Sequence, residues 1–239
     1  MIKKQIPNMI TCCNLISGCI AVVYALGSNY PMALAFIIIG AIFDFFDGMS
    51  ARLLGVSSPI GKELDSLADD VTFGVAPSAM IFSLLFTADY PGALSSYGGS
   101  IAYVAFLMAA FSALRLAKFN LDARQTSSFI GLPTPANALF WGALIVGGQD
   151  TLERLPYMPI IVIVMVLISC YLLVSEIPMF ALKFKTWGWS GNEIKYVFVI
   201  SCVPLLLVFG IVGFSIIIAW YVILSFLQPY LKNSSSKKL

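Results

Sequence analysis

Six of the twelve acidic residues in this 239-residue chain fall between positions 44 and 70: Asp44, Asp47, Glu63, Asp65, Asp69 and Asp70. Asp44 and Asp47 stand at i, i+3 and Asp65 and Asp69 at i, i+4, so on helices each pair occupies one face. An aspartate at the centre of a membrane helix costs roughly 2.5–3.5 kcal/mol, and the runs flanking these residues are apolar. Arg52 and Lys62 are too few to neutralise six acids, and the simplest source of the missing positive charge is metal. Oxygen-only ligands favour a hard cation, Mg²⁺ or Mn²⁺, over zinc. Two facing aspartate pairs suit a two-ion site that grips phosphate oxygens.

Other chemistries drop out. With no histidine in the chain, serine–histidine–aspartate triads, phosphohistidine intermediates and histidine-ligated zinc are excluded. Cys12, Cys13, Cys19, Cys170 and Cys202 lie in apolar runs without C-x-x-C spacing and read as small buried residues. The net charge of +2 gives no reason to expect a nucleic-acid partner.

The elements that must hold the aspartates are membrane helices. The composition is 59% hydrophobic and 11% charged, against roughly 25% charged in soluble domains. Apolar segments run over 9–27, 32–54, 64–87, 99–119, 134–149, 157–182, 195–209 and 212–230, which predicts an all-α integral membrane protein of eight transmembrane helices. Gly210 and Gly213 supply the turn that splits the last apolar stretch. The first run has no cleavage site and reads as a helix, not a signal peptide. With the N-terminus inside, Lys3, Lys4, Arg52, Lys62, Arg115, Lys118, Arg124, Lys183, Lys185, Lys195, Lys232, Lys237 and Lys238 are cytoplasmic and Arg154 alone is outside. That asymmetry satisfies the positive-inside rule, whereas seven helices would export Lys237 and Lys238. The expectation is therefore one membrane-embedded domain over 1–239, both termini cytoplasmic, a polar tail at 231–239, and the aspartates at the inner face.

The second and third helices then form an antiparallel hairpin across 55–61 that turns four carboxylates toward one another. Gly48 and Ala51 lie four residues beyond Asp44 and Asp47, on the same face. They either let a ligand approach or let helices pack closely.

Written out, the hairpin reads Asp44-x-x-Asp47-Gly48-x-x-Ala51-Arg52, eight residues, then Gly61-x-x-x-Asp65-x-x-x-Asp69. This resembles the complete signature of the CDP-alcohol phosphotransferase family. The resemblance implies that an alcohol attacks the lipid-bearing phosphate of a CDP-linked donor and releases CMP. It implies that Asp44, Asp47, Asp65 and Asp69 hold two divalent ions, that Asp69 takes the acceptor's proton, and that Gly48, Ala51 and Gly61 line the cytidine pocket with Arg52 near the phosphates. Arg52 also fits a positive-inside anchor. Six helices over about 9–182 would form the family core. The 195–230 pair would serve homodimer packing, common in the family, or shape the lipid entrance.

Four further stretches resemble one branch, the membrane-integral phosphatidylserine synthases: Pro7-Asn8 with Thr11 and Asn14-Leu15; Ser66 to Asp69 running into Thr72 to Pro77; Arg115 to Asn120; and Gly131 to Asn137. They imply CDP-diacylglycerol as donor and L-serine as acceptor. A zwitterion wants a cation for its carboxylate, and Arg115, Lys118, Asn120 and Arg124 are the candidates, although topology alone would also place Lys118 and Arg124 there. Thr11 and Asn14 either reach the nucleotide or hydrogen-bond between helices. Asp70 is a fifth acid that faces water or a polar neighbour, and Asp122 contacts the serine ammonium or pairs with Arg124. A sibling enzyme using glycerol 3-phosphate or inositol phosphate is the nearest alternative. A cation-coupled transporter fits poorly, since the acids lie at one membrane end and no inverted repeat is visible.

Overall fold

The computed structural model describes residues 3, 5–122, 129–155, 157–180, 182, 188 and 192–236. Among them are eight helices: α1 (Gln5–Leu26), α2 (Tyr30–Leu54), α3 (Pro59–Phe86), α4 (Gly92–Leu121), α5 (Thr134–Arg154), α6 (Met158–Val174), α7 (Glu193–Phe209) and α8 (Val212–Ser236). The helices α1 to α4 are each long and apolar enough to cross a membrane, and shorter apolar stretches occupy α6 and α8.

Polarity is inverted relative to a soluble bundle. The buried stripe of α1 is Pro7, Thr11, Asn14, Ser17, Gly18, Ala21 and Ala25, while Met9 and Val23 face outward at 67% and 71% exposure. Lipid is as apolar as leucine, so helices associate through small residues and interhelical hydrogen bonds. The tightest such contact involves Thr72 of α3. A Cβ on Gly18 of α1 would lie 2.4 Å from its hydroxyl, and one on Gly40 of α2 would lie 2.5 Å from its methyl. Thr72 thus wedges between two glycines and fixes how closely the first three helices pack.

Local signals set the hairpin ends. Gly55, at φ +62°, closes α2 with its N–H on the carbonyls of Ala51 and Arg52, and the Ser58 hydroxyl caps α3 by accepting from the Gly61 N–H, with Pro59 opening the helix. This cap starts α3 at residue 59, before the apolar run expected to begin at 64. Within α3 one turn widens to a π-helix over Asp70–Val75, directly after Asp69.

The sixth helix is shorter than its expected 157–182, ending at Val174. Pro178 offers no N–H and restricts Ile177, and the chain turns into a short antiparallel ladder. Its strands are β1 (Phe129–Ile130) and β2 (Pro178–Met179), with Ile130 opposite Pro178. Gly131 follows β1 at φ +73°, donating its N–H to the Ile177 carbonyl. Gly210, at φ +55°, separates α7 from α8 as expected. The segment 231–239, expected as a tail, continues α8 through Ser236, because extending an established helix carries no nucleation cost.

The main core joins α1 to α6 through Ala21, Ile37, Phe73, Met108, Trp141 and Val162, and the Trp141 indole N–H bonds the Ser169 hydroxyl of α6 at 3.0 Å. Helix α8 is fastened to α5 by the Ser215 hydroxyl on the Phe140 carbonyl at 2.7 Å. Helix α7 is held chiefly by α8, with the Trp220 indole on Ser201.

Gly131→Ala tests the joint between β1 and α6. The left-handed backbone costs about 1–2 kcal/mol for a residue with a Cβ, and the new methyl would lie 2.7 Å from the Leu173 carbonyl. The melting temperature in detergent is expected to fall; an unchanged value would mean that this joint carries no strain.

Candidate active site

The hairpin turns three carboxylates onto one point. Oxygens of Asp44, Asp47 and Asp65 all lie within 4.8 Å of one another. At that spacing each pair of anions repels by at least about 3 kcal/mol at an effective dielectric of 20. One Asp65 oxygen is buried with no hydrogen-bond partner. Convergent carboxylates and an orphaned oxygen fit a hard divalent cation. Asp69 stands one turn beyond Asp65 and interacts electrostatically with Asp44 and Asp65, but it is not one of the three closest acids.

Helix α1 holds the acids in place. The Thr11 hydroxyl lies 2.6 Å from Asp47 Oδ2 and 3.0 Å from the carbonyl of Pro7. The Asn14 side-chain amide donates to Asp69 Oδ1 at 3.1 Å, and its own Oδ1 accepts from the Thr72 hydroxyl at 2.8 Å. The wedge that sets helix spacing is therefore the same residue that orients Asn14, which in turn orients Asp69.

Beside the acids opens a cleft of about 260 Å³. Thr11, Asp47, Gly48, Ala51, Gly61 and Asp65 line it. Nothing but the far end of Arg52, 4.0 Å away, approaches the position a Gly48 Cβ would take. Asn14, Arg52, Asp44 and Asp69 do not line this cleft, and Arg52 is exposed. Asn8, Ser58 and Lys62 also border it; Asn8, one turn before Thr11, was legible as a site residue from that spacing alone.

The candidate acceptor residues lie on α4. Arg115 is buried, with its guanidinium over the Phe119 ring at 5.2 Å, and it interacts electrostatically with Asp69. The Asn120 amide donates to the Ser66 hydroxyl of α3 at 2.8 Å, while the Lys62 ammonium bonds the Asn120 carbonyl at 2.9 Å. Asn120 thereby ties α4 to the hairpin. The Lys118 ammonium reaches the Val174 carbonyl at 3.5 Å, and Arg124 lies outside the described residues. Asp70 turns toward α4: its buried Oδ1 lies 2.6 Å, and the Ser112 hydroxyl 3.4 Å, from where a Gly74 Cβ would be.

The sequence model of the family described as CDP-alcohol phosphatidyltransferase matches residues 4–179. The chain belongs to this family. The family match covers α1 to α6 and stops at the end of β2, ahead of α7 and α8, and with the apolar helices it makes this a multi-pass membrane protein. Among relatives, the CDP-diacylglycerol–serine O-phosphatidyltransferase of Bacillus subtilis (strain 168) is 40% identical over 175 residues, covering 73% of this chain and 89% of that one. The enzyme of the same name from Helicobacter pylori (strain J99) is 38% identical over 135 residues, 56% of this chain and 54% of that one. That of Saccharomyces cerevisiae is 38% identical over 121 residues, 47% of this chain and 39% of that one.

Asn14→Ala removes the bond that orients Asp69. Loss of a residue that orients a metal-site ligand typically costs 10- to 100-fold. Turnover is expected to fall by about that factor, with a higher divalent-ion concentration needed for half-maximal rate; unchanged turnover and ion dependence would dismiss the Asn14–Asp69 bond as incidental.

Proposed function

We propose that this protein is a CDP-diacylglycerol–serine O-phosphatidyltransferase, transferring the phosphatidyl group of CDP-diacylglycerol to the hydroxyl of L-serine to give phosphatidylserine and CMP. The observation that carries this reading is the convergence of Asp44, Asp47 and Asp65 beside a cleft lined by Gly48, Ala51 and Gly61. The 40% identity to the Bacillus subtilis enzyme supports it.

The acceptor oxygen attacks the phosphorus that bears the diacylglycerol. The new P–O bond forms as the bond to CMP breaks, and the hydroxyl proton passes to Asp69. An alcohol is a poor nucleophile at neutral pH, so a positioned base is what the step needs. Asp44, Asp47 and Asp65, with Asp69, would hold two Mg²⁺ or Mn²⁺ ions, which would supply positive charge to the pyrophosphate. The Gly48, Ala51 and Gly61 wall admits the flat cytidine because it carries so little side chain. Arg115, with Lys118 and Asn120 on the same side, receives the serine carboxylate, and Arg124 remains a candidate from the sequence alone. In the membrane the chain sits with both termini and the aspartates on the cytoplasmic face of the inner membrane, α1 to α6 forming the catalytic core and two copies forming a homodimer.

Purified protein in detergent, given CDP-diacylglycerol and Mg²⁺ or Mn²⁺, is expected to release CMP with L-serine and not with glycerol 3-phosphate or inositol phosphate. Release with a phosphorylated acceptor alone would keep the donor chemistry and discard the serine assignment; release with none would discard the donor. Asp69→Asn should lower kcat by roughly 10²–10⁴-fold, the range of a lost general base, with donor affinity nearly intact. Equal loss of donor affinity would recast Asp69 as chiefly a metal ligand.

A further inference from the structure

Among the described residues that line the cleft beside the aspartates, Lys62 alone is cationic. Arg52, expected near the phosphates, is exposed and does not line it. On the α3 side the wall runs Ser58, Gly61, Lys62 and Asp65, so Lys62 stands between the glycine that would face the cytidine and the first of the α3 acids. Its Cα lies roughly 4.5 Å along the helix axis from that of Asp65, at 1.5 Å of rise per residue. A phosphate joining a nucleoside on the glycine wall to the acid cluster would therefore pass beside Lys62.

The ammonium is steadied from α4. It donates to the Asn120 carbonyl at 2.9 Å, and the Asn120 amide is itself fixed on the Ser66 hydroxyl, one turn further along α3, at 2.8 Å. An ammonium has three donors. The carbonyl takes one of them and, being neutral, leaves the charge uncompensated; among the described residues Lys62 has no ion-pair partner. A cation held by a neutral group, at the edge of an open cleft and with donors to spare, has the chemistry of an anion contact.

Charge movement in the transfer says which anion needs it. In the donor each phosphate of the pyrophosphate carries one negative charge. The acceptor oxygen bonds to the phosphorus that bears the diacylglycerol and its proton goes to Asp69. The bridging oxygen then leaves with its electron pair on CMP, whose phosphate thereby gains a second negative charge. A cation on the CMP side stabilises the transition state more than the ground state. We propose that the Lys62 ammonium contacts the phosphate of the departing CMP and stabilises the charge it acquires. This rests on the donor chemistry given under Proposed function, whichever alcohol is the acceptor, and adds a catalytic residue to it.

Initial CMP release is measured with the full chain in detergent, given CDP-diacylglycerol, Mg²⁺ and whichever of L-serine, glycerol 3-phosphate and inositol phosphate supports turnover, with CMP and cytidine as inhibitors against the donor. Lys62→Met should lower kcat roughly tenfold and weaken inhibition by CMP by a similar factor, the low end for a hydrogen bond to a charged group. Inhibition by cytidine, which lacks the phosphate, and the melting temperature should hold. Lys62→Gln can still donate to the Asn120 carbonyl but carries no charge, and it should lose as much as the methionine variant, while Lys62→Arg should recover part. Unaltered kcat and CMP inhibition overturn the inference, as does equal weakening of CMP and cytidine. Full recovery in Lys62→Gln overturns it too, marking a structural tie to α4, and a change confined to the Mg²⁺ concentration for half-maximal rate overturns it by making Lys62 a counter-charge to the acids. Should the methionine variant not fold, the glutamine variant decides. A wild type that releases CMP with no acceptor sinks the donor reading and this inference together, whereas an active wild type beside unaltered Lys62 variants sinks the inference alone.

Discussion

Everything in this molecule is arranged around carboxylates that would rather be apart. Asp44, Asp47 and Asp65 bring oxygens within 4.8 Å of one another, on helices whose outer faces are apolar. In water such a cluster would spread or bind a stray cation. Between membrane helices neither the backbone nor the side chains have that freedom, so the repulsion must be met by bonds from neighbours and by charge supplied from outside. Thr11 donates to Asp47 and Asn14 to Asp69, which offsets part of it. The rest is repulsion that a divalent cation would offset, and an enzyme that must hold a doubly charged pyrophosphate has use for such a cation.

Precision at the acids comes from packing that is almost without side chains. Thr72 is seated between Gly18 and Gly40 so closely that a Cβ on either would collide with it. Because Thr72 also bonds Asn14, a change in helix spacing would reach Asp69 through two hydrogen bonds. The widened turn at Asp70–Val75 sits at this junction. Such turns recur at functional sites, and here it lies where α3 passes from holding aspartates to packing in the core, with Phe73 buried on the far side of the step.

Much of this was legible in the sequence. Membrane helices leave long apolar runs, and the eight expected segments correspond to eight described helices, of which α1 to α4 are long and apolar enough to cross a membrane. The hairpin was legible because acids in such runs are costly enough to need a reason. Boundaries were less so: hydropathy reports where lipid is, while Ser58 and Pro59 set the start of α3 and Pro178 the end of α6. The two readings of Thr11 and Asn14 separate only in three dimensions. Thr11 bonds Asp47 between helices and also lines the cleft, while Asn14 bonds Asp69 and Thr72 and stays outside it. Asn120, expected to serve the acceptor, ties α4 to Ser66.

The division of labour along the chain follows from the same constraint. A site that must hold repelling charges needs several helices with close mutual contact, and α1 to α4 supply it through glycine, threonine and asparagine. The β1–β2 joint contributes differently: Gly131 and the two-stranded ladder use backbone bonds, which tolerate side-chain change, to tie the end of α6 to the start of α5. Beyond them α8 adds its own contact with α5, and α7 leans mainly on α8, so neither reaches the aspartates. Charge convergence therefore sets the demands on the first half of the chain, and those demands relax with distance from Asp69.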